Sequence, residues 1–235
     1  RKAQVTDFLS FLKDEQLLPP NGGTALDIGC GVGDYALGLA REGYKTTGID
    51  LSDGMIHGAK QLADTEGLDV SLYIAPWSEE TRQTLGWDKT FDLAYSIFCP
   101  IMFDVENIRS MHDASHDTCL WIAFSERMDE TVDMLSEYFF GRDSFPWTGK
   151  VKECLDAIHK IGHNVKVTYK TVPETEVMSL DKAVDYFTMR LYNNGWGIME
   201  DMKREIRQLI EPRAIDGEIH NKTVDTVAWV SWSVN

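Results

Sequence analysis

Apolar residues recur along this chain with two periods, one typical of helices and one typical of buried strands. The first segment, VTDFLSFLKDEQLLPP, places Val5, Phe8 and Leu12 on one helical face and stops at two prolines. Short apolar runs then alternate with helical patterns, and these runs are TALDI, KTTGID, DVSLYIA, TFDLAYSIF and TCLWIAFS. Five strands joined by crossovers of helical length predict a mostly parallel sheet with helices on both faces.

The second half of the chain has a less regular pattern. Helical faces are predicted over MDETVDMLSEYFF, over GKVKECLDAIHKIG with Gly162 at its end, and over much of residues 179–211. NVKVTYKTV and TVDTVAWVSWSV alternate as strands, and the last of them, antiparallel, would complete a seven-stranded sheet. We therefore predict one α/β domain over residues 1–235, in which residues 127–149 and 179–211 form a cap inserted before the last strand.

The acidic composition narrows the classes of partner. The formal net charge of -15 at pH 7 would repel phosphate backbones and anionic lipid headgroups. No stretch approaches the roughly 18 apolar residues of a membrane span. The four cysteines lack zinc-type spacing, and His112 and His116 lack a third ligand, so we expect no metal. We expect a cytoplasmic protein that binds neither nucleic acid nor membranes, and its oligomeric state stays open.

The candidate ligand-binding segment is a glycine-dense turn with its flanking elements in residues 24–56, TALDIGCGVGDYALGLAREGYKTTGIDLSDGMI. Glycines between a strand and a helix let the backbone approach a ligand, and the helix presents free N–H groups at its start. The dinucleotide fingerprint fits only as GVGDYA, so the glycines alone leave several adenosine ligands open. Asp27 precedes the first glycine, and Asp50 ends the next strand just before Ser52, a predicted helix cap.

LDIGCGVG and GIDLSDGMI resemble motif I and the acidic loop of class I S-adenosylmethionine-dependent methyltransferases, and the resemblance extends to about Ser125. It implies a Rossmann-like seven-stranded fold and S-adenosyl-L-methionine as cofactor, with S-adenosyl-L-homocysteine as product. It also implies that the glycines pass beneath the methionine part, that Asp27 lies near its amino group and that Asp50 accepts both ribose hydroxyls. Leu51 and Met55 would flank the adenine. The cofactor-binding residues predicted in this way are Asp27, Gly29, Cys30, Gly31, Gly33, Asp50, Leu51, Met55, Ala75, Pro76, Trp77, Ser96 and Ile97.

Two places depart from the family's pattern. Where the family often has an acidic residue after the third strand, this chain reads IAPWSEE. A backbone N–H near Ala75, or Ser78, could replace that acid, while Trp77 either stacks on the base or packs in the core. The fourth strand ends AYSIFCPIMF, without the NPPY or DPPY signature expected for methylation of an amide or exocyclic base nitrogen.

The acceptor site is predicted over the carboxyl ends of the strands, beneath the cap. Its candidate residues are Phe98, Trp147, Tyr186, Arg190, Tyr192 and Trp196. No catalytic residue is predicted, because in-line methyl transfer needs a base only when the acceptor is protonated. The sequence thus favours methylation of a small molecule. Alternatives are a protein methyltransferase, a non-catalytic binding or scaffold protein of the same fold, and a nicotinamide-dependent oxidoreductase.

Overall fold

The computed structural model describes residues 2–19, 22–141, 148–192 and 201–235, and within them it confirms the expected alternation of strands and helices. The first elements are α1 (Lys2–Asp14), β1 (Thr24–Ile28), α2 (Asp34–Arg41), β2 (Lys45–Asp50), α3 (Asp53–Glu66), β3 (Val70–Ile74), α4 (Glu79–Thr84), β4 (Phe91–Ile97), α5 (Val105–Ala114) and β5 (Ser115–Asp129). They are followed by α6 (Glu130–Phe140), α7 (Thr148–Ile161), β6 (His163–Ser179), α8 (Leu180–Leu191), α9 (Met202–Ile210) and β7 (Glu218–Ser233).

The strands form a seven-stranded sheet in the order β3-β2-β1-β4-β5-β7-β6. β1 pairs in parallel with β2 and β4, β2 with β3, and β4 with β5. Because parallel strands end at the same edge of a sheet, the last residues of β1, β2, β3 and β4 come together there. That edge carries the glycine turn and Asp50.

The last strand runs antiparallel to β5, as predicted. The Val234 N–H donates to the Asp117 carbonyl at 2.7 Å, and the Ser125 hydroxyl donates to the Thr226 carbonyl at 3.0 Å. As the chain advances from Asp117 to Ser125, the partner therefore retreats from Val234 to Thr226. Opposite directions of travel define antiparallel pairing.

The chain divides into two compact units, and the single α/β domain over residues 1–235 stays a prediction. The first unit comprises residues 1–123, 150–168 and 228–235, and the second comprises residues 124–149 and 169–227. Both segments that were predicted as a cap, 127–149 and 179–211, fall within the second unit. Their role as a cap stays a prediction.

The core of the first unit is rich in tryptophan. Trp121 and Trp232 are buried at 0% and 2% exposure. Gly162 follows the last residue of α7, as the sequence predicts, but its backbone is not left-handed. A Cβ on Gly162 would lie 2.5 Å from Cδ1 of Trp232, so close packing requires glycine there.

The second unit has its own apolar core. Val132 and Leu135 of α6, Phe187 of α8 and Ile206 of α9 are all buried in one cluster. The helical faces predicted for α6 and α8 are therefore confirmed. No helix in the described ranges is long and apolar enough to cross a membrane.

Candidate functional site

The turn after β1 is built on left-handed glycines. Gly29, Gly31 and Gly33 have φ of 73°, 54° and 79°, a region that other residues adopt only at a cost. A Cβ on Gly29 would also lie 2.3 Å from the Cys99 Sγ, whereas one on Gly31 would meet nothing within 4 Å. The turn thus packs tightly at Gly29 and stays open at Gly31.

Asp50, at the end of β2, holds this turn in place. Its Oδ2 accepts a hydrogen bond from the Gly31 N–H, and its Oδ1 accepts one from the Ser52 N–H, both at 2.8 Å. Each carboxylate oxygen has a second acceptor position, so both could still accept ribose hydroxyls. Ser52 caps α3 through the Met55 N–H at 3.4 Å, as predicted.

Asp27 lies two residues before Gly29, the first glycine of the turn, and is 1% exposed. Its Oδ2 accepts no hydrogen bond from the residues that the structure describes. Burial raises the pKa of Asp27 to about 7, against the opposing influence of Tyr95 and of the Ala36 backbone. Tyr95 is fully buried beside it, and burial together with the Asp27 charge raises the pKa of the Tyr95 hydroxyl. A buried carboxyl of this kind suits a cationic partner.

Exposed apolar side chains surround the carboxyl ends of β2, β3 and β4. Leu51 is 72% exposed and Met55 is 46% exposed, so both are available to flank a flat ring, and their contact with adenine stays a prediction. Ile74 and Phe98 are exposed at the ends of the neighbouring strands. Phe98 has a left-handed φ of 52°, a strained value for an aromatic residue, and its N–H donates to the Ile122 carbonyl.

A cavity of about 430 Å³ lies beside the end of β3. Ala75 and Pro76 line it, together with Tyr73, Ile74 and Thr81. The sequence analysis named Ala75 and Pro76 but missed Tyr73 and Ile74. Their sequence could have indicated this position, because β3 ends in two apolar residues and lies at the edge of the sheet, where such residues remain exposed.

In the segment IAPWSEE, the groups that were expected to replace the family's acidic residue already have hydrogen-bond partners within the chain. The Ala75 N–H donates to the Asp50 carbonyl at 3.1 Å, and the Ser78 hydroxyl caps α4 through the Thr81 N–H. Neither group is therefore free to replace the missing acid. Trp77 is 5% exposed in the core and its Nε1 donates to the Asn107 carbonyl, so the structure supports packing rather than stacking on a base.

Three other predicted cofactor residues are buried behind the turn. Cys30 is 7% exposed, and a Cβ on Gly48 would lie 2.8 Å from its Sγ. Ser96 is fully buried and donates its hydroxyl to the Ile28 carbonyl at 2.8 Å. Ile97 is 8% exposed. The Ser96 hydroxyl thus joins β4 to β1, and a contact of Ser96 with the cofactor stays a prediction.

The predicted acceptor residues lie in different places. Tyr186 and Arg190 belong to α8 of the second unit, with the guanidinium 6.0 Å from the centre of the tyrosine ring. Tyr192 is half exposed just after α8. Phe98 belongs to the first unit. Trp147 and Trp196 lie outside the described residues.

The two histidines that were considered as metal ligands do not converge. His112 accepts a hydrogen bond from Trp232 Nε1 at 3.2 Å, and His116 Nε2 lies 3.1 Å from Asp92 Oδ1. Across the ranges that the structure describes, no three metal-binding side chains come together.

The residues at the edge of the sheet fit S-adenosylmethionine. A buried carboxyl with an unpaired oxygen suits its ammonium group, and a fixed carboxylate with spare acceptor positions suits a ribose. Exposed Leu51 and Met55 suit an adenine ring.

Comparison with known proteins also indicates a methyltransferase. Residues 25–118 match the family model described as a methyltransferase domain. The methyltransferase-like protein YqeM of Bacillus subtilis (strain 168) is 24% identical over an alignment 176 positions long, which covers 60% of this chain and 67% of YqeM. A 23S rRNA (uracil(1939)-C(5))-methyltransferase of Shewanella amazonensis is 42% identical over 60 residues, which are 25% of this chain and only 14% of that relative.

The fold is shared with solved structures as well. A methyltransferase-like protein of Bacillus halodurans C-125 superposes with a TM-score of 0.60 over 95% of this chain and 97% of its own, at 12% identity. The family expected from the glycine turn and Asp50 is therefore confirmed. Over residues 25–118 the chain carries a methyltransferase domain, and its fold and relatives support the class I S-adenosylmethionine-dependent methyltransferase family.

Proposed function

We propose that this chain transfers a methyl group from S-adenosylmethionine to a small-molecule acceptor. The observation that carries the proposal is the arrangement of Asp27, Asp50 and the open Gly31 at the carboxyl ends of adjacent strands. Ligands of open α/β sheets bind at this edge, where the order of the strands reverses.

Each residue of this arrangement has a distinct part in binding. Asp27 would pair with the ammonium of the methionine part, which supplies the charge that its buried carboxyl lacks. Asp50 would accept from the ribose hydroxyls while it continues to hold Gly31 and Ser52. Leu51 and Met55 would enclose the adenine. The cofactor supplies a methyl group bound to a sulfonium, and the protein supplies alignment.

Alignment alone can provide much of the rate. Holding two reactants in line removes a large entropic part of the barrier, and effective molarities reach about 10⁵ M and above. A general base is needed only for an acceptor that is protonated at the working pH. The proposal therefore assigns no catalytic base.

The charge of the chain supports a small acceptor over a nucleic acid. A net charge of -15 opposes association with a phosphate backbone. The relative that acts on 23S rRNA aligns with this chain over only 60 residues, and the alignment covers 14% of that relative. Because that similarity covers so little of the relative, RNA is kept as an alternative outcome of the experiment.

Calorimetry tests the cofactor site. We expect S-adenosylmethionine and S-adenosylhomocysteine to bind and NAD not to bind. Asp50→Ala should weaken binding of both by about tenfold or more, because it removes a charged acceptor and releases the Gly31 N–H. The control is Asp53→Ala, which alters an exposed carboxylate three residues away at the start of α3. Equal affinity for the two variants would refute the role of Asp50.

A second experiment tests the acceptor. The chain is incubated with S-adenosylmethionine and either a metabolite extract or total RNA, and mass spectrometry follows S-adenosylhomocysteine and the gain of one methyl group. Methylated metabolites support the proposal. Methylated RNA alone would overturn the small-molecule assignment, and no product from either extract would favour a non-catalytic member of the fold.

A further inference from the structure

Tyr95 of β4 lies beside Asp27 of β1 in the sheet. The two residues are register partners on adjacent parallel strands, so their side chains project from the same face. Tyr95 is 0% exposed and Asp27 is 1% exposed. The Tyr95 hydroxyl acts on Asp27, since it lowers the pKa of the carboxyl against the effect of burial. The hydroxyl and the carboxyl therefore share one buried space.

Both members of this pair have an unused polar atom. The Tyr95 hydroxyl and Asp27 Oδ2 are buried, and neither has a hydrogen-bond partner among the described residues. Buried polar groups in native proteins are nearly always hydrogen-bonded, so each exception calls for an explanation. A protonated Asp27 accounts for this arrangement, because a neutral carboxyl attracts a neighbouring donor less strongly than a carboxylate does.

Packing fixes the position of the Tyr95 ring. Phe8 of α1 is fully buried, and its ring centre lies 5.1 Å from that of Tyr95. The same Phe8 ring packs edge-on against Tyr35 of α2, with the ring centres 5.2 Å apart. An enclosed ring keeps its hydroxyl oxygen in place, while the hydroxyl proton can still rotate towards an acceptor. Tyr95 is thus a fixed donor beside Asp27.

The other groups that act on Asp27 do not supply a positive charge. Asp34 of α2 and Asp50 at the end of β2 raise the pKa of Asp27 through their charges, whereas the Ala36 backbone lowers it. Three further titratable groups feel the Asp27 charge, and burial raises their pKa values, so that they are neutral below pH 7: Tyr35, Cys30 and Cys99. None of these groups is a cation, so binding of a cation would favour the ionised form of Asp27.

We propose that Tyr95 is a positioning residue for Asp27: binding of the cofactor ammonium releases the Asp27 proton to solvent, and the Tyr95 hydroxyl then donates to the carboxylate. The ammonium keeps its own protons, and Tyr95 keeps its proton as a hydrogen-bond donor. This inference rests on the proposed function, which pairs Asp27 with the ammonium of S-adenosylmethionine. Its consequence is that cofactor affinity rises with pH as long as Asp27 is protonated in the free chain.

Calorimetry in buffers of different ionisation enthalpy counts the protons released on binding to the full chain. At pH 6 we expect release of about 0.9 proton per S-adenosylmethionine, because a carboxyl with a pKa of about 7 is mostly protonated there. From about pH 5.5 to about pH 7 the affinity should rise about 15-fold. Methylthioadenosine, which lacks the ammonium, should bind without proton release. Binding of S-adenosylmethionine without proton release, or equal release with methylthioadenosine, would overturn the proposal.

Variants assign the proton and the hydroxyl to their residues. Asp27→Asn should abolish the proton release. Tyr95→Phe removes only a hydroxyl, so the pKa of Asp27 should rise further, the pH profile of affinity should move to higher pH, and the affinity at pH 6 should fall by about tenfold. Tyr35→Phe removes the hydroxyl of the other tyrosine that packs on Phe8, and this control should keep the wild-type profile. Proton release that persists in Asp27→Asn, or coincident profiles for the two tyrosine variants, would refute the proposal.

Stability separates positioning from packing. Because the Tyr95 hydroxyl has no partner among the described residues, Tyr95→Phe should unfold in urea with about the wild-type free energy at pH 5.5, where Asp27 is protonated. A role in packing alone would leave the pH profile of affinity unmoved. If Tyr95→Phe does not fold, a fluorotyrosine at position 95 takes its place. This more acidic donor of similar shape should move the profile to lower pH, and an unmoved profile would again refute the role of Tyr95.

The proposed function and the role of Tyr95 can fail separately. Absence of S-adenosylmethionine binding at every pH would refute both. Binding of S-adenosylmethionine that is independent of pH would leave the proposed function standing and refute the coupling to the Asp27 proton.

Discussion

Substitution of Gly29 tests how closely the glycine turn packs against the end of β4. Gly29→Ala imposes two costs. The left-handed φ of 73° costs about 1–2 kcal/mol for a residue with a Cβ. The new Cβ would also lie 2.3 Å from the Cys99 Sγ and 2.8 Å from its Cβ, and overpacking of this kind costs about 1–3 kcal/mol. The free energy of unfolding should therefore fall by about 2–5 kcal/mol.

Gly31→Ala is the matched control for Gly29→Ala. Gly31 has a similar φ of 54°, but a Cβ there would meet nothing within 4 Å. It should lose only the conformational part, about 1–2 kcal/mol. The difference between the two variants measures the contact with Cys99.

A double-mutant cycle completes the experiment. Cys99→Gly removes the atoms that the new Cβ would strike, since the next nearest, the Cys99 Cα, would lie at 4.0 Å. In that background Gly29→Ala should cost about 1–3 kcal/mol less than in the wild type. Unfolding in urea is followed by tryptophan fluorescence and by circular dichroism, whose agreement supports a two-state analysis. Equal losses for Gly29→Ala and Gly31→Ala, or no relief by Cys99→Gly, would refute the packing argument.

Two further predictions concern Asp27 and Gly162 of the first unit. The free energy of unfolding of the wild type, relative to that of Asp27→Asn, should fall by about 1.4 kcal/mol per pH unit as the pH rises from about 4 to about 7. The reason is that the unfolded chain loses the Asp27 proton near pH 3.8, whereas the folded chain keeps it until about pH 7. Parallel pH profiles for the two proteins would contradict this. Gly162→Ala should lose about 1–3 kcal/mol in urea unfolding, because its Cβ would lie 2.5 Å from Trp232. Gly54→Ala, at an open position in α3, should lose nothing, and an equal loss at both glycines would exclude the Trp232 contact as the cause.

The sequence alone determined the parts of this protein that depend on neighbours along the chain. The alternation of apolar runs and helical faces specified the parallel strands β1 to β5. The glycines at positions 29, 31 and 33 specified a left-handed turn, because few other residues adopt that backbone. Ser52 specified the start of α3 in the same way. Each of these rules acts over a few residues, so it can be seen without the fold.

Only the tertiary structure decided which distant residues share a space. It placed Trp77 in the core and used the Ala75 N–H for the Asp50 carbonyl, although the sequence allowed both to contact the cofactor. It also brought Arg127 of β5 to Asp225 of β7, a pair that no spacing along the chain predicts. Packing and burial depend on all the elements that meet at a point, and the chain brings those elements together only when it folds.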